Sequence, residues 1–176
     1  MRSARARERG FTLVELLIVF AIVCVLTSLA AAGYRHSRAK AGEAVAVAGL
    51  QTINQAQFAF AQTCGNQRYS PTLTGLGTPI PTTGRAFISP DMAADPVVKN
   101  GYQFVLAATP TPEGPTACNG IRTVPAYQVT ADPTSQGVSG VYFFATNTDR
   151  VVYADSATYA GNMPETGAPG HGVEVK

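Results

Sequence analysis

The chain has 176 residues and a formal charge of +2, with 14% charged side chains against 45% apolar. That length allows one globular domain plus an anchor and hardly more. So even a charge balance does not point to a nucleic-acid binder.

The first ten residues, Met1 to Gly10, form a short basic leader. Of the thirteen basic and eleven acidic residues, it holds four (Arg2, Arg5, Arg7, Arg9) and one (Glu8), a net +3. The chain beyond it therefore carries about −1. The leader has no apolar region of its own, and no A-x-A site follows the apolar run, which separates it from an ordinary secretory signal. By the positive-inside rule its arginines stay cytoplasmic and the remainder faces outward. Arg35, Arg38 and Lys40 compete on the far side, but the leader comes first and is the more concentrated.

From Phe11 to Tyr34 run 24 residues with a single charge, Glu15. As a helix that stretch is roughly 36 Å long, enough to cross a bilayer core of about 30 Å. An unpaired carboxylate there costs on the order of 2–3 kcal/mol. It needs a partner, unless the run is an ordinary signal anchor with a tolerated acid near the interface. Cys24, in the middle of the run, reads as a small apolar residue.

Residues 10–19, Gly-Phe-Thr-Leu-Val-Glu-Leu-Leu-Ile-Val, resemble the processing and assembly signature of type IV prepilins, a group that includes the pseudopilins of type II secretion. The resemblance covers about the first 30 residues. It implies that prepilin peptidase cuts after Gly10 and methylates the new amino terminus at Phe11, making these two the processing residues. It also implies that Phe11 and Glu15 serve subunit assembly, the carboxylate pairing with the amino terminus of a neighbouring subunit. Physically, an amine and a carboxylate in a low-dielectric bundle attract strongly while each alone is costly, so the pair sets register more than it adds stability. Many pilins have a proline near the position of Ala32. Its absence leaves Gly33 as the candidate for a kink.

Beyond the membrane run the helix is expected to continue. Ala41 to Gln62 lacks proline, and Val47, Leu50, Ile53 and Phe60 recur at helical spacing, with Gln51, Gln55 and Gln62 on the outer side. The stop is expected at Cys64-Gly65, with glycine as a left-handed cap. One helix over 11–63 follows, in which Gly33, Gly42 and Gly49 are weak points of up to about 1 kcal/mol each. Residues 66–100, with Pro71, Pro79, Pro81, Pro90 and Pro96, read as an ordered surface loop. Four strands are expected at Tyr102–Ala108, Ala126–Ala131, Val141–Thr146 and Arg150–Ala154, the last two joined at Asn147-Thr148-Asp149. The tail from Ser156 reads as irregular and exposed. Cys64 and Cys118 form a disulfide if the domain is exported, closing a loop of about 54 residues, with two free buried thiols as the alternative.

No catalytic motif, phosphate-binding loop or metal-ligand spacing stands out around His36, His171 or the cysteines. Asp149 and Asp155 are too sparse for a calcium loop and read as solvated turns. Tyr34, Phe58, Phe60, Tyr102, Phe104, Tyr127, Phe143 and Phe144 read as core. Arg35, His36, Arg38 and Lys40 could touch anionic headgroups or DNA, and read first as an interfacial anchor in contact with acidic neighbours in a filament. The expected architecture is α+β: a long amino-terminal helix, membrane-spanning over 11–34, on a four-stranded antiparallel sheet, with a head at 64–176. The resemblance implies a non-enzymatic, cofactor-free filament subunit. Its partners are further copies of itself, prepilin peptidase, the inner-membrane assembly machinery and, before assembly, the membrane. The alternatives are a pseudopilin or minor pilin of a secretion or competence system, or a lone membrane-anchored binding domain.

Overall fold

A computed structural model describes residues 11–108 and 114–175, with the backbone alone for 29–32. The leader, including Gly10, lies outside the described residues, as does part of the segment between the first two expected strands. The chain forms two compact units, one ending at Ser37 and one running from Arg38 onward.

A single helix, α1, covers Leu13–Thr63 and passes through Gly33 without interruption. Its 51 residues contain no proline, so no step of the ladder has to lose its donor. The other two glycines have a reason in packing. A Cβ on Gly42 would lie 2.4 Å from the Ser139 carbonyl oxygen, and one on Gly49 would lie 2.7 Å from the Phe104 ring. Their cost in helix propensity is the condition for close approach of the sheet and its loops.

The helix ends as expected, but by a different residue. Cys64 and Gly65 both donate to the Phe60 carbonyl, at 2.9 and 2.7 Å, and the left-handed residues are Asn66 and Gln67, with φ of 52° and 64°. Gly65 is needed for space, since a Cβ there would meet the Arg68 carbonyl at 2.3 Å. Asparagine tolerates the left-handed region through its short polar side chain.

Cys64 and Cys118 are bonded, with Cα atoms 4.9 Å apart, and the Cys118 N–H donates to the Cys64 carbonyl at 3.2 Å. This ties the helix end to a segment 54 residues away.

Residues 66–100 are ordered as expected, but they hold short regular elements and supply core side chains rather than lying only on the surface. A short helix, α2 at Leu73–Gly77, begins at Thr72, whose hydroxyl accepts the Gly75 N–H. The Asp95 carboxylate takes the N–H groups of Leu73 and Thr74 at 2.9 and 2.7 Å, and Asn119 Nδ2 donates to the Gly75 and Thr78 carbonyls. These bonds satisfy terminal groups that a five-residue helix cannot satisfy itself. Leu73, Leu76, Ile88 and Met92 are thereby placed in the core.

The sheet has six antiparallel strands in chain order: β1 Val97–Lys99, β2 Tyr102–Ala107, β3 Gln128–Pro133, β4 Phe143–Asn147, β5 Val152–Asp155 and β6 Val173–Glu174. The four central strands are those expected. The extra two are too short to show a period. Asn100-Gly101, both at positive φ, make the tight turn between β1 and β2. The exposed-tail expectation fails at Tyr159 and Met163, which are buried with Ala145 in a second small cluster.

Leu50, Ile53 and Phe60 are buried and Val47 packs beside them, against Phe104, Tyr127, Val129 and Phe144, while Gln51, Gln55 and Gln62 face outward. Two polar residues on the buried face locate the sheet on the helix. Asn54 Nδ2 donates to Thr146 Oγ1 at 2.9 Å, and its Oδ1 accepts the Tyr127 hydroxyl at 3.0 Å. Gln57 exchanges two bonds with the Ser70 backbone, at 2.8 and 2.9 Å.

Asn54→Ala leaves the buried Tyr127 and Thr146 hydroxyls without that partner. A loss of about 2–3 kcal/mol is expected from the urea midpoint of the detergent-solubilised chain, whereas Gln55→Ala stays within about 0.5 kcal/mol of wild type.

Candidate functional site

The helix start is built from a reciprocal pair. The Thr12 N–H and hydroxyl donate to Glu15 Oε2 at 3.1 and 2.8 Å, and the Glu15 N–H donates back to Thr12 Oγ1 at 3.2 Å. This is a capping box, in which each side chain satisfies a donor that the first turn leaves open. The carboxylate also meets the positive end of the helix dipole. Glu15 thus has a partner within its own chain. The Thr12-x-x-Glu15 spacing is the signal for this box, and the family pattern, which directs attention to Glu15 alone, hides it.

Past that pair, the amino-terminal unit presents apolar side chains on every side. Phe11 is 80% exposed, and Leu13, Leu16, Leu17 and Phe20 are exposed with it. Free Cys24 lies on the same surface. Thr27 and Ser28 return their hydroxyls to the carbonyls of Val23 and Val25, both at 2.8 Å, so neither needs water. An apolar helix of this length suits a membrane or the interior of a bundle.

The basic group after the run is divided. Arg35, His36 and Arg38 are exposed. Lys40 Nζ lies 3.0 Å from Glu43 Oε2 and 5.5 Å from the Tyr142 ring centroid. Glu43 is buried, and its Oε1 accepts the Val141 N–H at 2.9 Å. Burial alone would raise its pKa. The Val141 N–H and the Lys40 ammonium outweigh that and hold the carboxyl below its ordinary value.

Asp149 and Asp155 are tail fasteners rather than free turns. Asp149 accepts the Gly167 N–H at 2.6 Å. Asp155 accepts from Ala157 N and lies 2.9 Å from His171 Nδ1, whose ring stacks on Tyr159 at 4.7 Å. Among the described residues, no three His, Cys, Asp or Glu side chains gather where they could hold a metal ion. The aromatic expectation holds for Phe60, Tyr102, Phe104, Tyr127 and Phe144, which are buried, while Phe143 is partly buried. It fails for Tyr34, which is exposed, and for Phe58, which lies half-exposed beneath the Arg150 guanidinium at 4.6 Å.

Residues 5–31 match the family described as the prokaryotic N-terminal methylation motif. No characterised protein and no solved structure matches the chain. The motif is the type IV prepilin signature. It indicates a pilin-like or pseudopilin-like substrate of prepilin peptidase.

Because the folded pKa of Glu43 lies below the unfolded one, its stabilisation is present above the ordinary carboxyl value and is lost as pH falls through the depressed one. Glu43→Gln is therefore expected to flatten the fall in stability with acid below pH 4.5. Urea midpoints measured down the acid limb check this; parallel limbs for the two proteins would contradict it.

Proposed function

From an N-terminal methylation motif that runs directly into a 51-residue helix with an uncovered apolar first half, we propose that the chain is a structural subunit of a type IV pilus-like filament. The motif on that helix is the observation that carries the reading. The precursor sits in the inner membrane through residues 11–34. Prepilin peptidase removes residues 1–10 after Gly10 and methylates the amine of Phe11. The helix then moves from lipid into a bundle of sister helices, which conserves an apolar environment for its side chains, while the heads form the outer wall at the cell surface.

Glu15 has a defined part in this transfer. In the precursor its carboxylate takes the Thr12 N–H and hydroxyl, so it enters the apolar phase with donors in place. Cleavage creates an amine at Phe11, and a carboxylate one turn along a neighbouring helix is its natural counter-charge. The pair sets the axial register, because both ions are costly in the bundle at any other offset. The capping box holds the carboxylate at the helix start while this happens.

The same features serve a pseudopilin or minor pilin that primes a shorter filament, and they would serve a lone anchored domain less well. A lone anchor has no use for a counter-charge to a neighbour's amine.

Two experiments test the reading. Gly10→Ser is expected to accumulate as uncut precursor on immunoblots of the membrane fraction; normal processing of that variant removes the peptidase assignment. Glu15→Ala should be cut normally and yield few filaments, and Thr12→Ala, which loses the box but keeps the carboxylate, should assemble far better. Equal filament yields from these two would reduce Glu15 to a helix cap.

A further inference from the structure

The loop from Thr134 to Tyr142, between β3 and β4, holds three exposed apolar side chains within five residues. Val138 is 61% exposed, Val141 44% and Tyr142 43%. Among the described residues, the other large exposed apolar side chains of the head are Phe58 on the helix and Val98, Val105 and Val173 on three different strands. Single ones are ordinary and a cluster is not.

The cluster is held in place. The Val141 N–H is bound by the buried Glu43, the Tyr142 carbonyl accepts the Tyr102 hydroxyl at 2.8 Å, and the Thr134 N–H donates to the Gly101 carbonyl at 2.8 Å. Two further backbone bonds, from Gly137 to the Gly140 carbonyl and from Ser139 to the Ser135 carbonyl, close the loop on itself. Its apolar side chains are thus exposed by construction, not by looseness. Cations accompany them. Lys40 lies over the Tyr142 ring, and Arg38 shares with Val138 and Thr134 a hollow of about 520 Å³.

Position along the chain indicates what covers this surface. Lys40 follows Tyr34, the last residue of the apolar run, by six residues. Even fully extended, that tether spans at most about 22 Å, however the two units are arranged. A tyrosine and aliphatic side chains beside lysine and arginine match the boundary between acyl chains and anionic headgroups.

We infer that the 134–142 loop, with Arg38 and Lys40, is a docking surface for an anionic phospholipid bilayer. It seats Val138, Val141 and Tyr142 at the acyl boundary and brings the two cations to lipid phosphates. The head then rests on the membrane before assembly, and leaving the bilayer frees this face. The inference rests on the membrane-anchored reading of residues 11–34.

The chain contains no tryptophan, so single substitutions act as reporters in the full-length precursor. Val138→Trp, Val105→Trp and Phe20→Trp are placed at one copy per bilayer disc of phosphatidylglycerol and phosphatidylcholine, brominated near the top of the acyl chains. Phe20→Trp and Val138→Trp are both expected to lose most of their fluorescence, with Val138→Trp blue-shifted relative to Val105→Trp, which stays bright. Replacing phosphatidylglycerol by phosphatidylcholine should restore much of the Val138→Trp signal. If Phe20→Trp is quenched while Val138→Trp behaves like Val105→Trp, the docking surface is overturned and the anchor stands. An unquenched Phe20→Trp overturns the anchor and the inference with it. A blue shift at Val138→Trp that requires several copies per disc assigns the face to sister subunits and overturns the inference.

Discussion

A carboxylate on an otherwise apolar helix has to find donors, and the amino-terminal unit depends on where it finds them. Glu15 finds them one turn back, at the N–H and hydroxyl of Thr12. Without them the acid would be a liability in lipid; with them it is a satisfied helix start that also carries an uncompensated negative charge. That charge is the basis of the assembly proposal, in which processing at Gly10 would create the matching cation on each neighbour. In that proposal the amine of a neighbour's Phe11 acts on the carboxylate that the Thr12 hydroxyl already holds within the subunit.

The second half of the helix is subject to a different constraint. From Ala46 to Cys64 it lies against the head core, and the register between them is set by side chains that a purely hydrophobic pattern does not predict. Asn54 joins β4 through Thr146 and the residue just before β3 through Tyr127, and Gln57 pairs with the backbone of Ser70 as a strand neighbour would. Apolar faces can slide past one another; buried amides with directed bonds cannot do so without leaving donors unmet. The disulfide then fastens the segment around Cys118 to the point where the helix stops.

Much of this architecture was legible in the sequence because it rests on long, repetitive signals. The absence of proline from Phe11 to Cys64 announces a single helix, and alternation in Tyr102–Ala107 and the Asn147-Thr148-Asp149 turn announce the central strands. Short elements lack that redundancy. Strand β1 has three residues, and its best signal, the Asn100-Gly101 turn, lies at the edge of a proline-rich stretch that argues against regular structure. Strand β6 has two residues and exists because Asp149, Asp155 and Tyr159 hold the tail against the sheet, contacts between residues far apart in sequence. At the site, the position of Glu15 was visible from the family pattern. Its capping role was visible only from the spacing to Thr12. The inward turn of Glu43 and the outward cluster at Val138, Val141 and Tyr142 depend on the β3–β4 loop folding back over the helix, which no local pattern encodes.

On the proposed reading, this chain is cut at a defined bond and then polymerised through the helix it exposes. Intact-mass spectrometry of filaments sheared from the cell surface tests both halves at once. The expected result is a dominant species that begins at methylated Phe11 and retains the link between Cys64 and Cys118. A filament fraction lacking this chain, with the mature form confined to the membrane, would contradict it.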